Sequence, residues 1–177
     1  MNDSAFIYRD MTERDFIYWN LEYTMNGAIE TFKSIPDEWL CIRPHPNILA
    51  PGWTFGHIAV TERVHVGMFL QGIDDIPSQY KLFYGRRAFD IPEEELRTAI
   101  PSKEALISYW QQAREKTQEY LHTITDKDLA KVPERSLHPP GGNRGNPIRE
   151  WFVMTIQHQN KNFGALCIVK RLIDGKR

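Results

Sequence analysis

Hydrophobic residues recur every three or four positions over four long stretches of this chain, a spacing that predicts four amphipathic α-helices. We expect the first to begin after Thr12 as N-cap and to run to about Lys33. Its predicted buried face consists of Phe16, Trp19, Tyr23 and Phe32. The second is expected to be capped by Thr54 and to reach about Gln71, which places His57 in its first turn.

The third and fourth predicted helices have clear start signals. Ser102 is placed to cap the third, whose apolar positions continue to Ile124. Asn146 as N-cap and Pro147 at the first helical position begin the fourth, which runs to about Ile173. The predicted inward seam of the fourth helix is Trp151, Thr155, His158, Asn162, Ala165, Val169 and Leu172.

Long connections join these helices. About 30 residues containing Pro77, Gly85 and Pro92 separate the second helix from the third, and this length favours a crossover with some helix near Pro92 to Arg97. The Gly- and Pro-rich segment 137–145 predicts a mobile loop that borders a pocket. No convincing strand pattern is present. We therefore predict an all-α fold, a four-helix bundle with a long crossover between helices 2 and 3, as a single domain over residues 1–177.

Composition narrows the classes of partner and location. The 177 residues carry a formal net charge of -1, which gives no electrostatic reason to expect nucleic acid or an anionic membrane. No stretch approaches the roughly 20 apolar residues of a membrane span, and the first residues do not form a secretory leader. A cytoplasmic location is expected. Cys41 and Cys167 are too few for a disulfide framework, so both are interpreted as buried thiols.

Two histidines in apolar, helix-patterned surroundings mark the candidate site. A buried imidazole must be hydrogen-bonded, paired or bound to a metal. His158 and Asn162 are four residues apart and share one helix face, so we expect them to form a pocket with His57. The alternative is local: His57 bonds a carbonyl in the segment 47–53, and His158 bonds Asn162 or Thr155.

The order of two motifs resembles the DinB/YfiT-like superfamily. The motifs are Trp53-x-x-Gly56-His57-Ile58-Ala59-x-x-Glu62 and His158-x-x-x-Asn162-Phe163-Gly164. The resemblance implies a four-helix bundle with three metal-binding histidines, one at the start of the second helix and two in a His-x-x-x-His pair on the last. His57 then matches the first ligand and His158 the second, while Asn162 stands in the place of the third.

This substitution changes what the resemblance implies about metal. A carboxamide oxygen is a weak donor for zinc or nickel, so we expect at most a degenerate divalent-metal site at His57, His158 and Asn162. Glu62 and His65 are nearby candidates for a replacement ligand. A 3.6-residue period turns Glu62 to another side of the helix and places His65 two turns further along, so neither is an obvious substitute.

Three function classes remain open. The resemblance implies a relative of thiol-dependent transferases and isomerases that use a divalent metal, and the catalytic residues are not assigned. The alternatives are a non-catalytic module that binds a small molecule or thiol, and a structural homodimer. No phosphate-binding loop, hydrolase elbow or Rossmann pattern is present, which argues against the corresponding nucleotide and hydrolase classes.

Overall fold

Helices account for the secondary structure of residues 11–85, 88–137 and 145–175, which a computed structural model of the chain describes. The α-helices are α1 (Glu13–Lys33), α2 (Pro51–Glu62), α3 (Leu82–Gly85), α4 (Glu93–Ala99), α5 (Lys103–Thr123) and α6 (Ile148–Asp174). A π-helix over Arg63–Gln71 continues α2 without interruption. No β-strand occurs within the described ranges, so the all-α prediction is confirmed.

The four long helices form the predicted bundle. Helix α1 packs mainly against α6, and α2 packs against α5 and α6. The crossover between the π-helix and α5 carries α3 and α4, and α4 matches the helix expected after Pro92. Most of the predicted loop over 137–145 lies outside the described residues.

Side-chain caps define two of the helix starts as predicted. The Thr12 hydroxyl accepts a hydrogen bond from the Asp15 backbone N–H at 3.1 Å, and the Asp15 carboxylate accepts from the Thr12 N–H at 3.3 Å. Ser102 caps α5 in the same manner by accepting from the Ala105 N–H at 3.2 Å. These bonds, reciprocal only between Thr12 and Asp15, satisfy backbone N–H groups that have no partner within the helix.

The other two predicted starts are shifted. Helix α2 begins at Pro51, so Thr54 lies inside the helix and its hydroxyl donates to the Ala50 carbonyl at 3.1 Å. Proline at the first helical position has the required φ and needs no backbone N–H, so the helix starts earlier without a side-chain cap. His57 consequently lies in the second turn. Helix α6 begins at Ile148, one residue after the expected position.

The core face of α1 differs from the prediction. Phe16 and Tyr23 are 50% and 65% exposed, and Trp19 is 40% exposed. The buried face of α1 is mostly aliphatic and consists of Ile17, Leu21, Thr24, Met25, Ala28, Ile29 and Phe32. Both sets repeat at helical spacing, and the usual burial of large apolar side chains favours the aromatic set, of which only Phe32 is buried.

Cys41 and Cys167 are free thiols that are only partly buried, so their interpretation as buried thiols is wrong. Among the described helices, none combines the length and apolar character needed to cross a bilayer.

Candidate functional site

The side chains of His57 and His158 meet between α2 and α6. Their Nε2 atoms lie 2.9 Å apart, and the rings meet edge to face with centroids 4.7 Å apart. Asn162, one turn after His158, brings its amide nitrogen to 3.2 Å from the same Nε2 atom. The three partly buried side chains therefore contact one another in the structure.

A carbonyl group of the crossover fixes the orientation of the His57 ring. The Nδ1 atom of His57 lies 2.7 Å from the carbonyl oxygen of Phe83 in α3. The buried Phe83 ring lies directly over Gly56, where an added Cβ atom would come within 2.6 Å of it. The glycine before His57 therefore allows α3 to approach α2 closely enough for this hydrogen bond. Trp53, one turn earlier, stacks on the His57 ring with centroids 4.7 Å apart.

These bonds determine which ring nitrogens carry hydrogen. Because a carbonyl oxygen only accepts, Nδ1 of neutral His57 is the donor and Nε2 is the acceptor. The Nε2–H of His158 then donates to Nε2 of His57. Nδ1 of His158 is left as the acceptor nitrogen, and it is buried without a hydrogen-bond partner among the described residues. The two rings thus form one directed hydrogen-bonded pair.

Both rings are uncharged at neutral pH. Burial lowers the pKa of His57, and its hydrogen bond to the Phe83 carbonyl offsets only part of this effect. Burial lowers the pKa of His158 to about 3, assisted by the nearby positive charges that His57, His65 and Lys161 can carry. The pocket therefore offers hydrogen bonds, not imidazolium charge, to anything that binds beside it.

The amide of Asn162 turns its N–H group toward the histidine pair. Its Nδ2 atom donates to the backbone carbonyl of His158 at 2.8 Å. Because Nε2 of His158 carries hydrogen in this assignment, the 3.2 Å approach of Nδ2 to it is a contact and not a hydrogen bond. The opposite orientation of the amide would bring two acceptor oxygens together at this carbonyl. The amide NH₂ group is a hydrogen-bond donor and not a metal ligand, so in this orientation Asn162 directs no ligating oxygen at the histidine pair.

The described residues do not fit the three-ligand metal site that the resemblance implies. Zinc–nitrogen bonds of about 2.0–2.1 Å separate two ligands of a tetrahedral ion by about 3.3 Å. The 2.9 Å between the Nε2 atoms of His57 and His158 is shorter and matches a direct hydrogen bond. In the described ranges, no three His, Cys, Asp or Glu side chains are arranged to hold a metal ion. Zinc and nickel therefore lack a complete donor set here.

Glu62, considered above as a replacement ligand, belongs to a separate buried network. Its carboxylate accepts from Arg114 at 2.8 and 2.9 Å, from Trp110 Nε1 at 2.7 Å and from Gln159 Nε2 at 2.8 Å. Burial acts to raise the pKa of Glu62, but the charge and hydrogen bonds of Arg114 outweigh it and hold that pKa below its usual value. Arg114 also bonds Glu22 of α1 at 3.1 Å. The network links all four long helices and leaves Glu62 fully occupied.

His65 lies closer to the site than the sequence indicated. Its ring centroid is 6.1 Å from that of His158. The Thr155 hydroxyl donates to the Trp151 carbonyl at 2.8 Å, so it accepts from Nδ1 of His65 at 3.0 Å. His65 belongs to the π-helix, whose wider turn invalidates angular positions calculated with a 3.6-residue period. No pattern in the sequence signalled that change of period.

A groove of about 600 Å³ opens beside Asn162. Its walls are mostly apolar and include Ile48, Leu49, Phe89, Ala165, Ile168 and Val169. Asn162 lines the groove and also contacts His158, so one end of the groove adjoins the histidine pair. This groove extends the pocket beyond the three residues that the sequence singled out.

Comparisons with known proteins agree with this architecture. The sequence profile of the DinB superfamily matches residues 20–166. A solved structure described as "Crystal structure of the conserved protein of locus from Enterococcus faecalis" is similar, with a TM-score of 0.68 and 18% sequence identity. The similarity covers 90% of this chain and 96% of that chain, and at this identity it concerns the fold. No curated protein matches the sequence.

Proposed function

The chain belongs to the DinB superfamily, and we propose that its pocket binds a small molecule instead of retaining a complete catalytic metal centre. The apolar part of the ligand lies in the groove, and its polar group lies at the end formed by His57, His158 and Asn162.

The position of Asn162 carries this proposal. The same side chain lines the groove and contacts the histidine pair. A molecule in the groove can therefore reach the polar side chains that would otherwise bind a metal ion. A volume of about 600 Å³ lies within the usual range of small-molecule sites, about 300–1,000 Å³. Mostly apolar walls with a few polar groups at one end are also typical of such sites.

A metal-dependent reaction on a thiol is the second candidate, and the orientation of His57 favours it. Ligating histidines usually donate their other ring nitrogen to a carbonyl or carboxylate, as His57 does to Phe83. The DinB resemblance implies thiol-dependent transferases and isomerases. The amide at position 162 weighs against this candidate, because two imidazoles alone hold zinc or nickel weakly.

Thermal denaturation with three matched probes tests the proposal. Hexanol, hexanethiol and hexanoate share one apolar body and differ in their polar group, and each is added with zinc or with a chelator. A ligand that binds only the folded state raises the melting temperature. At a ligand concentration of a hundred times its Kd, the free energy of unfolding increases by about 2.7 kcal/mol. Ala165→Phe fills the groove, while Val153→Phe adds the same ring at an exposed position of the same helix.

We expect at least one probe to stabilise the parent protein and Val153→Phe in the presence of chelator, and to lose this effect in Ala165→Phe. Stabilisation by none of the probes, or stabilisation that persists when the groove is filled, would rule the binding site out. A rise in Tm that requires zinc, together with conversion of hexanethiol when a suitable electrophile is present, would support the second candidate instead.

A further inference from the structure

The groove beside Asn162 contains an unneutralised cation. Lys161 is the charged side chain of its described lining, and no described carboxylate forms an ion pair with it. Lysines elsewhere do form such pairs: Lys33 with a glutamate, and Lys81 and Lys170 with aspartates. Lys161 therefore differs from these lysines because it lines the groove and has no ion-pair partner among the described residues.

Amide donors surround the same end of the groove. The Oδ1 atom of Asn160 accepts from the Thr24 hydroxyl at 2.9 Å, which leaves the NH₂ group of Asn160 for another partner. Asn160 and Asn162 both line the groove with Lys161. No aspartate or glutamate belongs to the described lining. The polar end thus combines a cation with N–H donors and lacks a competing anion.

Lys161 is adjacent in sequence to Asn162, and both residues line the groove. Asn162 also contacts His158, so the lysine and the histidine pair belong to the same end of the groove. Because the histidines are neutral and the lysine is cationic, this end of the groove carries one positive charge, which a monoanion would compensate.

We propose that the ligand of this groove is a small carboxylic acid in its anionic form, with a hydrocarbon body. The carboxylate accepts hydrogen bonds from Lys161 and from the NH₂ group of Asn160, and the hydrocarbon lies against the apolar walls. This inference rests on the proposed binding function of the groove and names the chemical class of its ligand. Binding involves no covalent step.

Calorimetric titration with hexanoate and hexanol tests the ligand class, because the two probes share a hydrocarbon body. In the parent protein, we expect hexanoate to bind more tightly than hexanol and to weaken as salt is added. Lys161→Met should raise the Kd for hexanoate roughly fivefold, the factor expected for a partly screened ion pair. The Kd for hexanol should remain unchanged. Lys161→Arg retains the charge and should retain hexanoate affinity.

A matched control is available on the same helix. Lys170→Met removes a lysine that pairs with Asp174 and does not line the groove, so it should leave both affinities unchanged. Equal affinity for the two probes, or no effect of Lys161→Met on hexanoate, overturns the carboxylate class while the groove still binds. If neither probe binds, the carboxylate class fails, and if hexanethiol does not bind either, the proposed function fails as well. Binding of both probes to Ala165→Phe would also defeat the proposed function.

Discussion

At the scale of single residues, Gly56 sets the distance between the crossover and His57. A Cβ atom at position 56 would come within 2.6 Å of the Phe83 ring, and the Phe83 carbonyl accepts the hydrogen bond that orients His57. We predict that Gly56→Ala displaces Phe83 and weakens this bond. Overpacking costs about 1–3 kcal/mol, and the helix propensity of alanine returns up to about 1 kcal/mol. Urea unfolding should show a net loss of about 1–2 kcal/mol.

Gly164 provides the control for Gly56. An added Cβ atom at position 164 meets nothing within 4 Å, so Gly164→Ala should be neutral or stabilising. The NMR signal of the His57 Nδ1 proton reports the hydrogen bond directly. Unchanged stability and an unchanged proton signal in Gly56→Ala would show that Phe83 adapts without moving its carbonyl.

Asn162→His tests the loss of the third ligand. If the pocket retains its shape, a third imidazole replaces a poor donor, and affinity for zinc or nickel should rise at least about tenfold. Calorimetry measures the affinity, and Tm should become metal-dependent in the variant. Adding His57→Ala to this variant should abolish both effects. Equal metal binding by the parent and the variant would mean that the pocket geometry has diverged together with the ligand.

Residue types predicted much of this pocket and missed specific parts of it. Helical spacing places His158 and Asn162 on one face of α6, and His57 of α2 lies 2.9 Å from His158. That these three residues form a functional site stays a prediction. The role of Glu62 did not follow, because its partner Arg114 is 52 residues away and nothing local links them. The proximity of His65 was missed because it depends on the π-helix. Tertiary pairing and a local change of helical period are not encoded in short-range spacing.

At the scale of elements, sequence signals were most reliable where a local bond defines a boundary. Thr12 and Ser102 cap α1 and α5 as predicted, because their side chains bond backbone groups only three residues away. The predicted start of α2 and most of the predicted buried face of α1 were wrong. In each case the local sequence offers two similar choices: Pro51 or Thr54 at the start of α2, and an aliphatic or an aromatic face on α1. Packing against α6 selects the aliphatic face of α1.

The buried network of Glu62 and Arg114 joins the elements, and its loss should destabilise the bundle. Arg114→Met leaves the Glu62 carboxylate buried without its cation, which typically costs about 3–5 kcal/mol. Urea unfolding measures this loss. Arg149→Met removes an exposed ion pair with Glu13 and should cost less than about 1 kcal/mol.

Replacing both partners separates the charge from the packing. The double variant Glu62→Leu with Arg114→Met should recover much of the stability lost in Arg114→Met, because no uncompensated charge remains. A loss for Arg114→Met no larger than that for Arg149→Met would contradict the role assigned to this network.

At the scale of the whole molecule, the short-range sequence pattern says least about the predicted homodimer. The aromatic row of α1 that was expected in the core is exposed, and Trp19 stacks on Tyr23 at 5.4 Å between centroids. Phe16 and Tyr23 lie two turns apart on this same side of the helix. Such a row is one candidate surface for a second copy of the chain.

We predict that the protein is a dimer at micromolar concentration and that the variant Phe16→Lys with Tyr23→Lys is a monomer. A stable interface needs about 800 Å² from each partner, and two lysines in its centre would leave buried charges without partners. Sedimentation velocity measures the oligomeric state. Tyr84→Lys, which replaces an exposed aromatic residue away from α1, should remain dimeric. A monomeric parent protein would exclude the homodimer, and a lysine variant that remains dimeric would place the interface on another face.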